Sequence, residues 1–101
     1  MAVHSREIRE ILDTCRPHRA DRVVVFLRPG QGRLAVIAGK RIGGAVQRNR
    51  ARRVLRAAWT QIAPLVPERD AVLVARDTIA GAGTREMVDE MSELMSEVGG
   101  A

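Results

Sequence analysis

The stretch from Gly43 to Pro64 constrains the fold most. Counted at about 100° per residue, Ala51, Val54, Leu55, Ala58, Trp59, Ile62 and Leu65 fall in one sector, while Asn49, Arg52, Arg53, Arg56 and Thr60 fall in the opposite one. Arg48 lies near the border. The pattern predicts a helix from about Val46 to Ala63, ended by Pro64, whose ring lacks an N–H and clashes with the preceding turn. One face of that helix must pack, so the remainder of the chain has to supply an apolar surface.

The sequences on either side are suited to that task. Residues 22–28 (RVVVFLR) and 33–38 (RLAVIA) are rich in β-branched side chains and flank a PGQG turn, which predicts a hairpin. On its first strand Val23, Val25 and Leu27 share one face, and Arg22, Val24, Phe26 and Arg28 share the other. Residues 71–76 (AVLVAR) read as a short buried strand, and a further short strand is expected around residues 18–22. A first helix places Ile8, Ile11, Leu12 and Cys15 on one face, with Ser5 as its N-cap and Pro17 beyond its end. A last helix, N-capped by Thr84, carries Met87, Val88, Met91, Leu94, Met95 and Val98 on an apolar stripe. Its Glu86, Asp89, Glu90, Glu93 and Glu97 face water. The order α-β-β-β-α-β-α specifies one α+β domain over residues 1–101.

Charge is distributed unevenly. Residues 1–56 hold 14 Lys or Arg against 4 Asp or Glu, whereas residues 57–101 hold 3 against 8. From Lys40 to Arg56 there are seven basic residues (Lys40, Arg41, Arg48, Arg50, Arg52, Arg53 and Arg56) and no acid. Sixteen of the 17 basic residues in the chain are Arg, whose planar fork of donors matches phosphate oxygens. A merely solvated basic face would normally carry acidic partners at helical spacing, and here they are missing. Gly43 and Gly44 precede the helix and permit close backbone approach to an anion at its N-terminus.

Other chemistries are poorly supported. GQGRLA (Gly30 to Ala35) matches a dinucleotide-loop pattern, but another β-run follows it instead of a helix. Gly39-Lys40-Arg41 lacks the glycine and hydroxyl of a Walker loop. His4 and His18 have no ligand partners at metal spacing, so no protein-held metal is expected. Cys15 sits on an apolar stripe and reads as a core residue; no nucleophile, base and orienter set is visible. With Phe26 and Trp59 the only aromatics, stacking of successive bases is not available, and phosphate contact and shape must dominate. The absence of an apolar signal region or of a run of about 20 apolar residues gives the expectation of a soluble, cytoplasmic protein without a membrane partner.

The segment Lys40-Arg41-Ile42-Gly43-Gly44-Ala45-Val46-Gln47-Arg48-Asn49-Arg50-Ala51-Arg52-Arg53-Val54-Leu55-Arg56 resembles the RNR signature of the protein subunit of bacterial ribonuclease P, K-[KR]-x-G-x-A-V-x-R-N-x-x-[KR]-R-x-x-R, at every specified position. The resemblance implies a two-layer α/β sandwich of the ribosomal-protein type, with a roughly four-stranded sheet and a left-handed βαβ crossover. It also implies a required catalytic RNA subunit that holds the Mg2+ ions, a precursor tRNA whose 5′ leader is removed, and no small-molecule cofactor. No catalytic residue is assigned to the protein. Lys40, Arg41, Gly43, Arg48, Asn49, Arg50, Arg52, Arg53 and Arg56 inherit the RNA-binding role, and Ile8, Leu12, Arg22, Phe26 and Arg28 the positions of a leader cleft between the first helix and the sheet. The chain departs from the family pattern in its short N-terminal arm and in having Ile8 and Leu12 where family members carry phenylalanines. The alternative reading is a generic RNA- or DNA-binding module of another ribonucleoprotein.

Overall fold

The computed structural model describes residues 3–99. In chain order the elements are α1 (Ser5–Thr14), β1 (Pro17–Arg19), β2 (Val23–Pro29), β3 (Leu34–Ile37), α2 (Ala45–Ile62), β4 (Arg69–Ala75) and α3 (Thr84–Gly99). Short 3-10 turns at Lys40–Ile42, Ala63–Leu65 and Asp77–Ile79 join them. The expected element order is borne out.

The strands form one mixed sheet in the order β1-β2-β4-β3. β2 does not pair with β3, so the expected hairpin is wrong. β4 lies between them, antiparallel to β2 (Phe26 opposite Val72) and parallel to β3 (Val36 opposite Leu73). Burial explains the choice. A central strand is covered on both faces and takes continuous apolar sequence. VVVFL of β2 and AVL of β4 are buried throughout, whereas Leu34 and Ile37 at the two ends of β3 are only half-buried, as suits an edge. The loop from Pro29 to Arg33 therefore spans two strand spacings, about 10 Å, instead of making a tight turn. It is wrapped around Asp70, whose carboxylate accepts from the N–H groups of Gln31 and Arg33 at 3.0 and 2.9 Å. Gly30 makes the wrap possible, because a Cβ there would lie 2.3 Å from the Asp70 carboxyl carbon.

The alternation read from β2 holds along the strand. Val23, Val25 and Leu27 join the main core under α2 and α3, with Leu55, Trp59, Ile62, Met87, Met91 and Met95, while Val24 and Phe26 face α1 and pack with Ile11, Ala35 and Val72. Helices thus lie on both faces of the sheet, and β3 crosses over to β4 through α2.

Several local expectations shift. Leu65 is half exposed, since the helix closes at Ile62 and the chain turns into a 3-10 segment before the apolar sector can be extended. Ser5 and Thr84 are the first residues of their helices and not N-caps: His4 caps α1 without a side-chain bond, and the Glu86 carboxylate reaches back to the Gly83 N–H at 3.2 Å. The short strand expected near 18–22 is Pro17–Arg19, held by Pro17 opposite Phe26.

Candidate nucleic-acid interface

α2 is an 18-residue helix whose buried side is Ala51, Val54, Leu55, Ala58, Trp59 and Ile62. Asn49, Arg50, Arg53 and Arg56 are exposed, and Arg48 and Arg52 half-buried. Packing of the apolar stripe onto the sheet leaves the arginines no direction but outward. Arg52 is pre-oriented: its guanidinium donates to the Asn49 side-chain oxygen at 3.0 Å and to the Ala38 carbonyl at 3.4 Å, tying the helix to the exit of β3. Arg48 keeps a buried Nε without a hydrogen-bond partner.

The electrostatic contrast is sharp. Among the described residues the ion pairs are made by Arg22, Arg28 and Arg33, and none by any cation from Lys40 to Arg56. Seven basic groups therefore stand without a carboxylate of the described residues within 4.0 Å, on a helix face and the turn before it.

The turn is built for approach. Gly43 adopts φ 134°, a backbone that L side chains rarely take, and a Cβ on it would meet Gln47 at 3.2 Å. Gly43→Ala is expected to cost about 1 to 2 kcal/mol, about 4 to 16 °C in a thermal melt, while altering no charged group. Gly44 caps α2 in extended geometry without a side chain, and the first helical bond runs from the Arg48 N–H to the Gly44 carbonyl at 3.0 Å. The N–H groups of Ala45, Val46 and Gln47 thus have no partner within the helix, and these residues are exposed. Val46 itself is 80% exposed, a large apolar side chain set among cations.

Lys40 and Arg41 line a groove with Ile37, Val74, Arg76 and Asp77, at the C-terminal ends of the parallel strands β3 and β4. Arg76 donates to the Ala20 carbonyl at 2.9 Å, which places its guanidinium beside the link between β1 and β2. Arg19, at the end of β1 opposite Val24, lines a separate depression with Glu90, Glu93 and Glu97 of α3. Arg76, Ile37 and Val74 were not singled out by sequence reasoning. Their signal is a basic or half-buried residue at a strand end, which becomes legible only once strand order is known.

Of the five cleft candidates, Ile8, Leu12, Phe26 and Arg28 lie on the α1 side of the sheet and Arg22 does not. Ile8 and Leu12 are half-buried and pack onto the cluster of Phe26. Phe26 is only 9% exposed, covered by α1, so it does not floor an open groove; the half-buried part of that sheet face is Ile37 and Val74. Arg22 leaves this face altogether. Residing just before β2, it escapes strand alternation and turns toward α3, with its guanidinium 3.3 Å from Glu86 and its N–H bonded to Glu90 at 2.8 Å. Arg28 stays on the α1 side, bound to Glu7 at 2.5 Å and 3.9 Å from Glu10.

Beside it lies a cluster the sequence did not disclose. The Arg33 guanidinium meets Glu7 with both terminal nitrogens, at 3.0 and 2.5 Å, and Asp70 with Nε and Nη2, at 3.2 and 2.8 Å. Burial alone would raise the Asp70 carboxyl, but the Arg33 guanidinium and the N–H groups of Arg33 and Gln31 outweigh it and hold the group at about 2. Hydrogen bonding to Arg33 likewise lowers Glu7 below its ordinary value. On β1, burial first and then the charges of Arg16 and Arg69 lower His18.

No helix among the described residues is long and apolar enough to cross a membrane, and no group of three His, Cys, Asp or Glu is placed to hold a metal ion. The family model for ribonuclease P matches residues 3–99. The chain belongs to the ribonuclease P protein family. Within it, the ribonuclease P protein component of a Nitratiruptor species is 36% identical over 76 residues, covering 74% of this chain and 70% of that protein. The fold is similar to that of the ribonuclease P protein from Thermotoga maritima, with TM-score 0.81 at 17% identity over 96% of both chains. It is also similar to that from Staphylococcus aureus, with TM-score 0.80 at 17% identity over 95% of this chain and 92% of the other.

Proposed function

We propose that the chain acts as the protein subunit of ribonuclease P by gripping a catalytic RNA through α2 and the preceding turn, and so assists removal of the 5′ leader from precursor tRNA. The observation that carries this reading is the seven unpaired cations between Lys40 and Arg56, set on a helix whose other face is locked into the core. Cations without a carboxylate partner are available to phosphates. Lys40, Arg41, Gly43, Arg48, Asn49, Arg50, Arg52, Arg53 and Arg56 form the contact surface, with Asn49 and Arg52 presented as one hydrogen-bonded unit.

Hydrolysis belongs to the RNA in this reading. The interface offers guanidinium, amide and backbone N–H donors, which orient phosphates, and no carboxylate set that would hold Mg2+; the ions are expected on the RNA. The single-stranded leader takes the open part of the α1 face, along Ile37 and Val74 and beside Arg76, Lys40 and Arg41, with Ile8 and Leu12 as its wall. The setting is cytoplasmic, where precursor tRNA is made.

Reconstitution tests the proposal. The protein mixed with a bacterial ribonuclease P RNA at low magnesium is expected to restore precursor tRNA cleavage, and protein alone to show none. No stimulation of the RNA would overturn it. If about six arginines meet phosphates, log affinity should fall with log salt at a slope of roughly −4 to −5.

A further inference from the structure

Glu7 occupies the position that an external anion would take. Its carboxylate is gripped by two guanidiniums, by Arg28 at 2.5 Å and by both terminal nitrogens of Arg33. A two-oxygen acid held in a fork of this kind has the recognition geometry of a phosphodiester. The grip is not sealed, since the side chains of Glu7, Arg28 and Arg33 remain 24%, 24% and 21% exposed. Arg33 does not depend on Glu7 for its orientation, because Asp70 holds its other edge from within the sheet. Removing Glu7 would therefore leave a preset arginine and a released Arg28, with Glu10, exposed and 3.9 Å away, as a weaker competitor.

The location is suitable. β3 is an edge strand, with Lys40 and Arg41 beyond one end and Arg33 just before the other. Arg33 and Ile37 are four residue steps apart along the strand, about 13 Å, so an extended single strand following this edge meets cations at both ends. We propose that Arg28 and Arg33 form a second phosphodiester site, masked in the free protein by Glu7, which swings out when RNA arrives. This rests on the RNA-binding reading above and adds that the α1 side chain acts as a competitor for RNA. The phosphodiester comes from the single-stranded leader or from the catalytic RNA.

Fluorescence anisotropy on the full chain, with a labelled eight-nucleotide single-stranded RNA and separately with the folded catalytic RNA, distinguishes these sources. Glu7→Gln is expected to tighten at least one of them roughly 3- to 10-fold at about 50 mM salt, and to steepen the salt slope by about 0.7 to 0.9. Arg28→Gln combined with Glu7→Gln should abolish the gain that Glu7→Gln gives alone. Asp13→Asn, which removes an exposed acid from the same helix, controls for general charge. Should Glu7→Gln fail to fold by circular dichroism, Glu7→Asp, too short to span both guanidiniums, is measured in its place. If neither RNA binds the folded variant more tightly than it binds Asp13→Asn, the mask is refuted and Glu7 only staples α1 to the sheet. Native protein that fails to bind RNA would instead defeat the broader reading.

Discussion

Replacing Arg50, Arg53 and Arg56 together by Gln is expected to weaken binding of the catalytic RNA by roughly 10²- to 10³-fold while leaving the thermal melt within about 0.5 kcal/mol of the parent. All three are exposed on α2, and none makes an ion pair. Nothing in the folded protein loses a partner when they go, so the effect belongs to the complex alone. The salt slope should become shallower by about 2 to 3, since three phosphate contacts vanish. Affinity and slope measured across a salt series check this; unchanged affinity would take the helix face out of the interface. Arg52→Gln should behave differently, because Arg52 also bonds the Ala38 carbonyl and the Asn49 side chain. A small loss of stability is expected there alongside the loss of RNA.

This separation between packed and free faces was the most legible part of the sequence. A helical period applied to residues 46–63 assigned nearly every side chain of α2 to its correct side, since α2 is long and packs along one stripe. Period two did the same for Val23 through Leu27. Strand order was not legible. Whether β2 meets β3 or β4 depends on which strand can be buried on both faces, a property of the assembled sheet and not of the PGQG turn. Arg22 misled for a related reason, because alternation applies only inside a strand and it lies one residue before β2. Phe26 was correctly placed on the α1 face, but period two does not say how much of that face α1 covers. The Glu7, Arg28, Arg33 and Asp70 cluster joins four separate segments. Asp70 was passed over because the expected strand began at Ala71, one residue after the acid that organises the loop.

Asp70 should accordingly be among the most sensitive positions for stability. Asp70→Asn removes the charge that Arg33 faces inside the sheet end and weakens acceptance from Gln31 and Arg33, while retaining size. Breaking a buried pair from one side costs about 3 kcal/mol or more, which for a chain of this length is roughly 12 to 24 °C in a melt. The pH dependence follows from the depressed carboxyl. With the folded value at about 2 against an ordinary 3.8, the contribution is present above pH 3.8 and is lost as pH falls toward 2. Native protein should therefore lose stability steeply over that window, and Asp70→Asn should show a flatter profile there, starting from a lower plateau at neutral pH. Urea melts between pH 2 and 7 read both features. The part of the RNA affinity carried by the Lys40–Arg56 cations should be retained by the folded variant, because the Lys40–Ile42 turn and the start of α2 follow the C-terminal end of β3, whereas Asp70 lies at the other end of the sheet, opposite the start of β3. A variant that instead kept its stability and lost RNA would show that the loop at Gly30 serves the interface and not the fold.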